Sequence, residues 1–207
     1  MLSTALFGQT LSDAKVATPM PRVPVEGLHY ERKTPAISVA TGARIEVLEF
    51  FSYACPHCRA FENPLNAWIK ALPDDVVFQR VPVPFTANAA ALQRLYFALE
   101  VEGQVDALHA KVFTAVQPEH QLFQSQADIA GFAMANGIGP SDFLRAYDSQ
   151  RVTDMVAAAT ALVRKYDLGS VPTMAMHGRF LTSPALAGSA ENALTTASYL
   201  IERVRRS

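Results

Sequence analysis

The sequence predicts an α/β fold whose sheet-forming part is interrupted by an all-helical insertion. Two runs of β-forming residues, 44–53 and 76–83, flank one helical pattern, as expected for a strand–helix–strand unit. Apolar residues then recur only at helical spacing, before two short apolar runs and one more helix end the chain. The α/β domain is therefore expected to comprise residues 27–87 and 168–207, with the helical insertion at 88–167.

The first strand is expected to be buried on both faces, because apolar residues dominate the segment 44–53. This segment leads into Cys55 and Pro56, and proline suits the first turn of a helix, where no amide hydrogen is needed. The helix that follows is expected to kink at Pro64. The segment 76–83 then supplies the second strand of the unit.

Capping and turn residues mark several of the later elements. The insertion is expected to contain five helices, and Ser125 with Asp128 three residues later matches a capping box that opens one of them. Ser141 is expected to cap the next helix. Apolar runs on either side of Gly178 predict a β-hairpin, and the last helix is expected to begin near Ser189.

The composition restricts the classes of function. The chain has 207 residues, half of them apolar, and a formal net charge of −1. It can therefore bury a sizeable core without metals or structural disulfides. The charge gives no support to a nucleic-acid partner, which requires basic residues gathered on one face. Since no run approaches the roughly 18 apolar residues of a membrane-spanning helix, we expect a soluble protein. We also expect it to be a monomer.

Residues 1–26 are predicted to be a leader outside the fold. They are rich in Pro, Ser, Thr and Ala and lack a sustained apolar period. Residues 1–8 are similar to the end of an export segment, although no Lys or Arg precedes them. Two interpretations stay open, a partial signal segment and a disordered tail.

Both cysteines lie in the motif Cys55-Pro56-His57-Cys58, where the predicted strand gives way to the helix. A disulfide at this spacing closes almost no loop, so the pair is expected to serve chemistry. A sulfur in the first helical turn faces unpaired N–H groups and the positive end of the helix dipole, which stabilise a thiolate. His57 is expected to add to this stabilisation. Cys55 should therefore be the acidic, solvent-facing sulfur, with Cys58 as its internal partner.

A structural zinc site and an inert disulfide are the alternative uses of such a pair. Zinc would need further ligands, but the chain has no second cysteine pair and its other histidines lack ligand spacing. Those histidines are interpreted as ordinary surface or loop residues, and they are His29, His109, His120 and His177. The prediction is therefore no metal, and no cofactor besides the Cys55–Cys58 disulfide itself.

The strand, the motif and the helix resemble the thioredoxin fold and, more closely, the DsbA family of periplasmic disulfide-forming oxidoreductases. The matching segments are residues 47–52, the Cys-Pro-His-Cys motif, Phe61-Glu62 and Val171-Pro172. The resemblance covers about residue 27 to the C-terminus, including the position of the helical insertion. It implies an α/β thioredoxin fold with an inserted all-helical subdomain, and a location in the periplasm.

The resemblance also implies a substrate-binding position away from the motif. The Val171–Pro172 bond is expected to be cis and to lie beside the sulfurs. There the backbone of the residue before the proline can pair with an extended substrate peptide.

Three charged residues match family positions near the active site. Glu49, an acid in a strand predicted to be buried, is expected close to the disulfide, where it handles the proton of Cys58. Glu62 and Arg80 match two further positions, but the family has a lysine at the second, and arginine titrates far less readily. For Glu62 and Arg80, an ordinary solvated or paired surface charge is an equally open interpretation.

Together these features predict a thiol–disulfide oxidoreductase that introduces disulfide bonds into exported proteins. A substrate thiolate attacks Cys55, Cys58 leaves, and a second substrate thiol resolves the mixed disulfide. The resemblance implies reduced unfolded proteins as substrates and a DsbB-type, quinone-linked membrane oxidase as the partner that restores the disulfide. Two alternatives stay open, a reductase or isomerase of the same fold and a redox-switched binding or chaperone protein.

Overall fold

A computed structural model describes residues 23–86 and 88–207, so most of the predicted leader and Ala87 lie outside the described residues. Within these ranges, five strands form one mixed sheet: β1 (Glu31–Arg32), β2 (Ile45–Phe51), β3 (Val76–Pro82), β4 (Thr173–Met176) and β5 (Phe180–Thr182). Their order in the sheet is β1-β5-β4-β2-β3. Strand β2 is thus an interior strand, flanked by β3 and β4.

The predicted strand–helix–strand unit and the hairpin are both confirmed. Helix α1 (Pro56–Ile69) connects β2 to β3, which pair in parallel. Pro64 lies inside α1, and the helix continues past it. Strands β4 and β5 form the antiparallel hairpin, and β4 also pairs antiparallel with β2. Because β2 is covered on both sides along the sheet and on both faces, nearly all its residues are buried.

Helices cover both faces of the sheet. On one face, α1 and α8 (Ala190–Arg205) pack on a core that includes Val47 and Met176. On the other face, Leu48 and Phe50 share a core with the helical insertion. The described insertion helices are α2 (Ala89–Val101), α3 (Val105–Val116), α4 (Gln126–Ala135), α5 (Pro140–Tyr147) and α6 (Gln150–Tyr166). A four-residue helix, α7 (Pro184–Ala187), follows the hairpin and was not predicted.

The capping predictions are confirmed at two helices and wrong at a third. Ser125 and Asp128 form the capping box of α4, and the Ser189 hydroxyl caps α8. Ser141 does not cap α5, because that helix already begins at Pro140 with Gly139 as its N-cap. Proline has no N–H and its φ is preset for the first helical position, so Pro140 fixes the helix start two residues earlier than a Ser141 cap predicts.

Candidate active site

The two cysteines lie at the junction between β2 and α1, beyond the carboxyl end of β2. Cys55 is the N-cap residue of α1 and Pro56 occupies the first helical position. Cys55 is half-buried, whereas Cys58 is fully buried, and both are free thiols. A substrate can therefore reach the sulfur of Cys55 but not that of Cys58.

The start of the helix stabilises negative charge on Cys55. The backbone N–H of Cys58 donates a hydrogen bond to Cys55 Sγ at 3.3 Å. The pKa of Cys55 is lowered to about 6, chiefly by the hydrogen bond from the Cys58 side chain, with further help from the backbone N–H groups of Cys58 and His57 and from the charge of His57. His57 itself is exposed. The donors at a helix N-terminus thus act here as expected.

Cys58 has the opposite character. Its hydrogen bond with Cys55 and its burial raise the pKa of the Cys58 thiol well above the usual range, and the neighbouring Glu49 adds to this effect. When the disulfide is reduced, Cys58 therefore holds a proton while Cys55 carries the negative charge.

The peptide bond between Val171 and Pro172 is cis, as the resemblance implied. It lies immediately before β4 and faces the motif, since the Cys55 thiol contacts the Val171 carbonyl at 3.6 Å. Val171 is half-buried and Pro172 is buried. A chain attached to Cys55 would therefore lie beside the backbone of Val171.

Gln117, at the C-terminal end of α3, holds the turn that carries Cys55, and no pattern in the sequence predicts this contact. Its side-chain amide donates hydrogen bonds to the carbonyls of Tyr53 at 2.7 Å and Cys55 at 3.1 Å. The helical insertion thus supports the backbone of the active-site turn directly.

A cluster of buried charges lies behind the motif. The parallel pairing of β2 with β3 places Glu49 opposite Arg80, and Arg80 Nε lies 3.1 Å from Glu49 Oε2. Arg80 also donates from Nη2 to Glu62 Oε2 at 3.1 Å and to Asn66 Oδ1 at 2.7 Å. Glu62 and Arg80 are therefore paired charges, as one part of the open interpretation had it, but they lie in a largely buried cluster and not on a solvated surface.

Glu49 and Glu62 differ in how they are held. Burial, reinforced by the nearby charge of Glu62, raises the pKa of Glu49 to about 8. Burial also raises the pKa of Glu62, but the hydrogen bond from His109 and the charge of Arg80 outweigh it, so the net pKa lies below the usual range. The cluster therefore favours a proton on Glu49, and ionisation of this carboxyl would raise the pKa of Cys58 further.

His109 belongs to this cluster, and its interpretation as a surface residue is wrong. It is 5% exposed on α3, with Nε2 at 3.2 Å from Glu62 Oε1 and Nδ1 at 2.7 Å from the Tyr53 hydroxyl. The periodicity contained the signal, because residue 109 lies three positions before Val112 and four before Phe113, on the apolar face of α3. His29 is buried as well, and its Nδ1 accepts from the Val25 N–H.

Among residues 23–86 and 88–207, no group of three or more His, Cys, Asp or Glu side chains could hold a metal ion. In the same described part of the chain, no helix is both long enough and apolar enough to span a bilayer.

Comparison with known proteins places these features in one family. The family model of the DSBA-like thioredoxin domain matches residues 46–192. The thiol:disulfide interchange protein DsbA of Pseudomonas syringae pv. tomato is 35% identical over 206 residues, which cover 99% of this chain and 92% of that protein. The protein of the same name from Bordetella parapertussis is 38% identical over 160 residues, covering 77% of this chain and 76% of that one.

Solved structures agree with the sequence comparisons. The crystal structure of Pseudomonas aeruginosa DsbA aligns with a TM-score of 0.83 at 33% identity, covering 87% of this chain and 94% of that one. The structure of DsbA from Xylella fastidiosa aligns with a TM-score of 0.82 at 28% identity. The chain therefore belongs to the DSBA-like thioredoxin domain family of thiol–disulfide oxidoreductases.

Proposed function

We propose that this chain oxidises reduced, unfolded proteins by donating the Cys55–Cys58 disulfide to them. The observation that carries the proposal is the hydrogen bond from the Cys58 N–H to Cys55 Sγ, 3.3 Å long, at the first turn of α1. Stabilising the Cys55 thiolate favours the reduced protein over its disulfide, and a stable thiolate also departs faster in exchange. Such a pair releases its disulfide to substrates rather than retaining it.

The reaction proceeds through a mixed disulfide. A substrate thiolate attacks Cys55 Sγ, the sulfur that solvent reaches, and the bond to Cys58 Sγ breaks with its electron pair on Cys58. A second substrate thiolate then attacks the substrate sulfur bound to Cys55. The substrate leaves with a disulfide, the enzyme has gained two electrons, and Cys55 departs as a thiolate.

Glu49 supplies the proton that Cys58 needs in the first step. Cys58 is fully buried and its pKa is raised, so it must leave as a thiol. Glu49 is also fully buried, and its raised pKa of about 8 keeps it protonated at neutral pH. After the transfer, the resulting carboxylate is stabilised by the guanidinium of Arg80 at 3.1 Å.

The surroundings of Cys55 suit an extended, uncharged segment of substrate. The Val171 carbonyl, 3.6 Å from the sulfur, offers an acceptor to the backbone of a bound chain. A cleft of about 370 Å³ adjoins the turn and contains Ala54, Pro56, Val116 and the exposed Leu122. None of its described lining residues is Asp, Glu, Lys or Arg. Unfolded proteins, which expose apolar side chains, match this surface.

Family membership supports a proposal for the cellular setting. Each turnover leaves the cysteines reduced, so an oxidant has to remove two electrons, and we assign this step to a DsbB-type, quinone-linked membrane oxidase. The enzyme acts as a monomer in the periplasm on exported proteins and needs no cofactor beyond its own cysteine pair.

The proposed domain division assigns residues 27–87 and 168–207 to the thioredoxin-fold domain and residues 88–167 to the insertion. The insertion supports the site through Gln117.

Equilibration with glutathione tests the direction of transfer. We expect Cys55 and Cys58 to remain reduced in mixtures of reduced and oxidised glutathione that leave an ordinary structural disulfide intact. Oxidised protein mixed with a reduced two-cysteine peptide should yield the peptide disulfide, and Cys55→Ser should abolish the transfer. A pair that stays oxidised in the same mixtures indicates a reductase. Client binding by the Cys55→Ser variant, with no transfer by the wild type, indicates a chaperone.

A further inference from the structure

We propose that His109 is a positioning residue of the thiol–disulfide reaction, which directs the proton of the buried charge cluster to Glu49. The cluster is defined as Glu49, Arg80, Glu62 and His109. The inference rests on the proposed function, in which Glu49 donates a proton to Cys58.

The imidazole of His109 is fixed from two sides. Its Nε2 lies 3.2 Å from Glu62 Oε1 on α1, and its Nδ1 lies 2.7 Å from the hydroxyl of Tyr53 in the turn after β2. The rings of Phe51 and Phe113 pack against it at centroid distances of 5.1 Å. The ring therefore cannot turn without losing both polar contacts in a place that water does not reach.

The groups that face His109 favour its neutral form. The charged and titratable groups around it are Glu62 on α1, Tyr53, Tyr96 on α2 and Arg80 on β3. Burial lowers the pKa of His109, and the charge of Arg80 adds to this effect against the opposing action of Glu62. A neutral ring with its hydrogen on Nε2 turns that hydrogen toward Glu62 Oε1, 3.2 Å from the nitrogen, and accepts the Tyr53 hydroxyl hydrogen at Nδ1.

Counting donors shows which carboxyl holds the shared proton. With His109 neutral, the cluster contains two carboxyl groups and one guanidinium, so burial favours one proton on one of the carboxyls. Glu62 faces three donors, from Arg80, Asn66 and His109. Glu49 faces only Arg80. Glu62, which has more donors around it, is therefore the carboxylate, and the proton lies on Glu49.

Arg80 faces both carboxyls, so His109 is one of the two donors, with Asn66, that Glu62 has and Glu49 lacks. Without the His109 donor, Glu62 gains affinity for the proton. Glu49 loses affinity for the proton, because the guanidinium of Arg80 then stabilises the Glu49 carboxylate. When a substrate thiolate attacks Cys55 and the bond to Cys58 breaks, fewer molecules then hold a proton on Glu49 to give to the departing sulfur. The effect grows with pH, because Glu49 in the altered protein ionises at a lower pH than in the wild type.

The test compares variants of His109 in a single-turnover reaction of the oxidised protein with a reduced peptide. Rates are measured from about pH 5 to about pH 8 and divided by the wild-type rate at each pH, so that ionisation of the peptide thiol cancels. For His109→Leu we expect a ratio near one at the acid end, falling by about fivefold at the alkaline end, since lowering the Glu49 pKa from about 8 by about one unit cuts its protonated fraction near pH 8 from about a half to about a tenth. His109→Gln keeps an amide donor for Glu62 and should bring the ratio back to within about twofold of one.

Two controls separate this role from a loss of packing. His29→Leu removes another buried histidine, which lies outside the cluster, and its ratio should not vary with pH. If His109→Leu does not fold, His109→Asn takes its place, because asparagine is too short to reach Glu62 and should show the same fall. A ratio for His109→Leu or His109→Asn that is constant across the pH range overturns the proposal. So does a fall in folded His109→Gln as large as in the leucine variant.

Glu49→Gln distinguishes failure of this inference from failure of the proposed function. It removes the proton donor, so adding His109→Leu to it should cause no further change with pH. If Glu49→Gln slows the reaction and His109→Leu does not, only the role of His109 is wrong. If Glu49→Gln itself has no effect, the proton transfer proposed for Glu49 fails, and this inference fails with it.

Discussion

The Cys58 N–H donates to Cys55 Sγ across 3.3 Å and, together with the larger effect of the hydrogen bond from the Cys58 thiol, it makes the two sulfurs of one motif chemically opposite. Cys55 ends as the better anion because the N-terminal donors of α1 converge on it, whereas Cys58 lies fully buried one turn later. The polarity of the disulfide therefore follows from the position of each sulfur on the helix and not from the residue type.

Removing the Cys58 side chain should separate the two sources of Cys55 acidity. In the wild type we expect a Cys55 pKa of about 6. Cys58→Ala deletes the side-chain donor but leaves the backbone donors, so the pKa should rise and still stay below that of an ordinary thiol. Ultraviolet thiolate absorbance against pH measures both values. Cys58→Ser, which keeps a donor, should stay closer to the wild type, and an alanine variant with an ordinary thiol pKa would refute the helix contribution.

The stability difference between reduced and oxidised protein should depend on pH. The folded pKa of Cys55, about 6, lies below the unfolded value near 8.5, so its ionisation stabilises the reduced fold above that range and the gain is lost as pH falls through 6. We expect the reduced form to gain about 2 kcal/mol between about pH 5 and pH 8.5, after allowing for solvent screening at a half-exposed sulfur.

Urea unfolding of both redox forms across this range measures the difference. The oxidised form is the internal control, since it has neither cysteine thiol but shares the other titrating groups, and the buried Cys58 thiol, whose pKa is raised, keeps its proton in the reduced fold across this range. A difference that does not change with pH contradicts the assigned acidity.

Much of the fold could be read from local patterns. The buried strand before the motif, Pro56 at the first helical position, and the Ser125 and Ser189 caps each depend on residues within a few positions of one another. The cis bond before Pro172 came from the family resemblance and not from local chemistry. The start of α5 differs from the prediction because Pro140, like Pro56, occupies the first helical position, where proline needs no N–H.

The rest of the site depends on contacts between distant segments. His109 contacts Glu62, which lies 47 positions earlier in the chain. Gln117 contacts the Cys55 carbonyl across a separation of 62 positions. No local pattern specifies such pairs, since they arise only when the insertion packs on the sheet. Arg80 is intermediate, because its place opposite Glu49 follows from strand register that a parallel unit suggests but does not fix.

Glu49→Gln should slow the reduction of the disulfide by a substrate thiol. The amide cannot give a proton to Cys58, and general acids of this kind typically contribute 10²-fold or more, so we expect a loss of about tenfold to 100-fold at neutral pH. Stopped-flow mixing with a reduced peptide gives the rate. Glu46→Gln is the matched control, because Glu46 is on the same strand but on its opposite face and should retain the wild-type rate. Equal rates in the two variants would remove Glu49 from the mechanism.

Arg80→Met should destabilise the protein more strongly as pH rises. It leaves two buried carboxyls without their cation, which typically costs about 3–5 kcal/mol. In the variant the folded pKa values of both carboxyls lie above the unfolded values, so their contribution is present at low pH and is lost as pH rises through the folded values. Urea unfolding near pH 4.5 and near pH 7.5 shows the trend.

Arg145→Met is the control for Arg80→Met, because Arg145 pairs with Asp142 where both side chains are mostly exposed. Its effect should be small at either pH. If Arg80→Met loses the same stability at both pH values, the carboxyls do not depend on Arg80 for their ionisation.

Gln117→Leu should loosen the active-site turn without changing the acidity of Cys55. The substitution removes the donors to the Tyr53 and Cys55 carbonyls, at about 1 kcal/mol of stability for each hydrogen bond. The thiolate donors come from α1 and are untouched, so the Cys55 pKa should stay near 6 while exchange with a peptide slows several-fold. Gln150→Leu, whose amide binds Asp154 on the surface of α6, is the matched control and should exchange at the wild-type rate. A Gln117→Leu variant whose Cys55 pKa rises while its exchange rate is unchanged would show that the insertion tunes the sulfur and does not hold the turn.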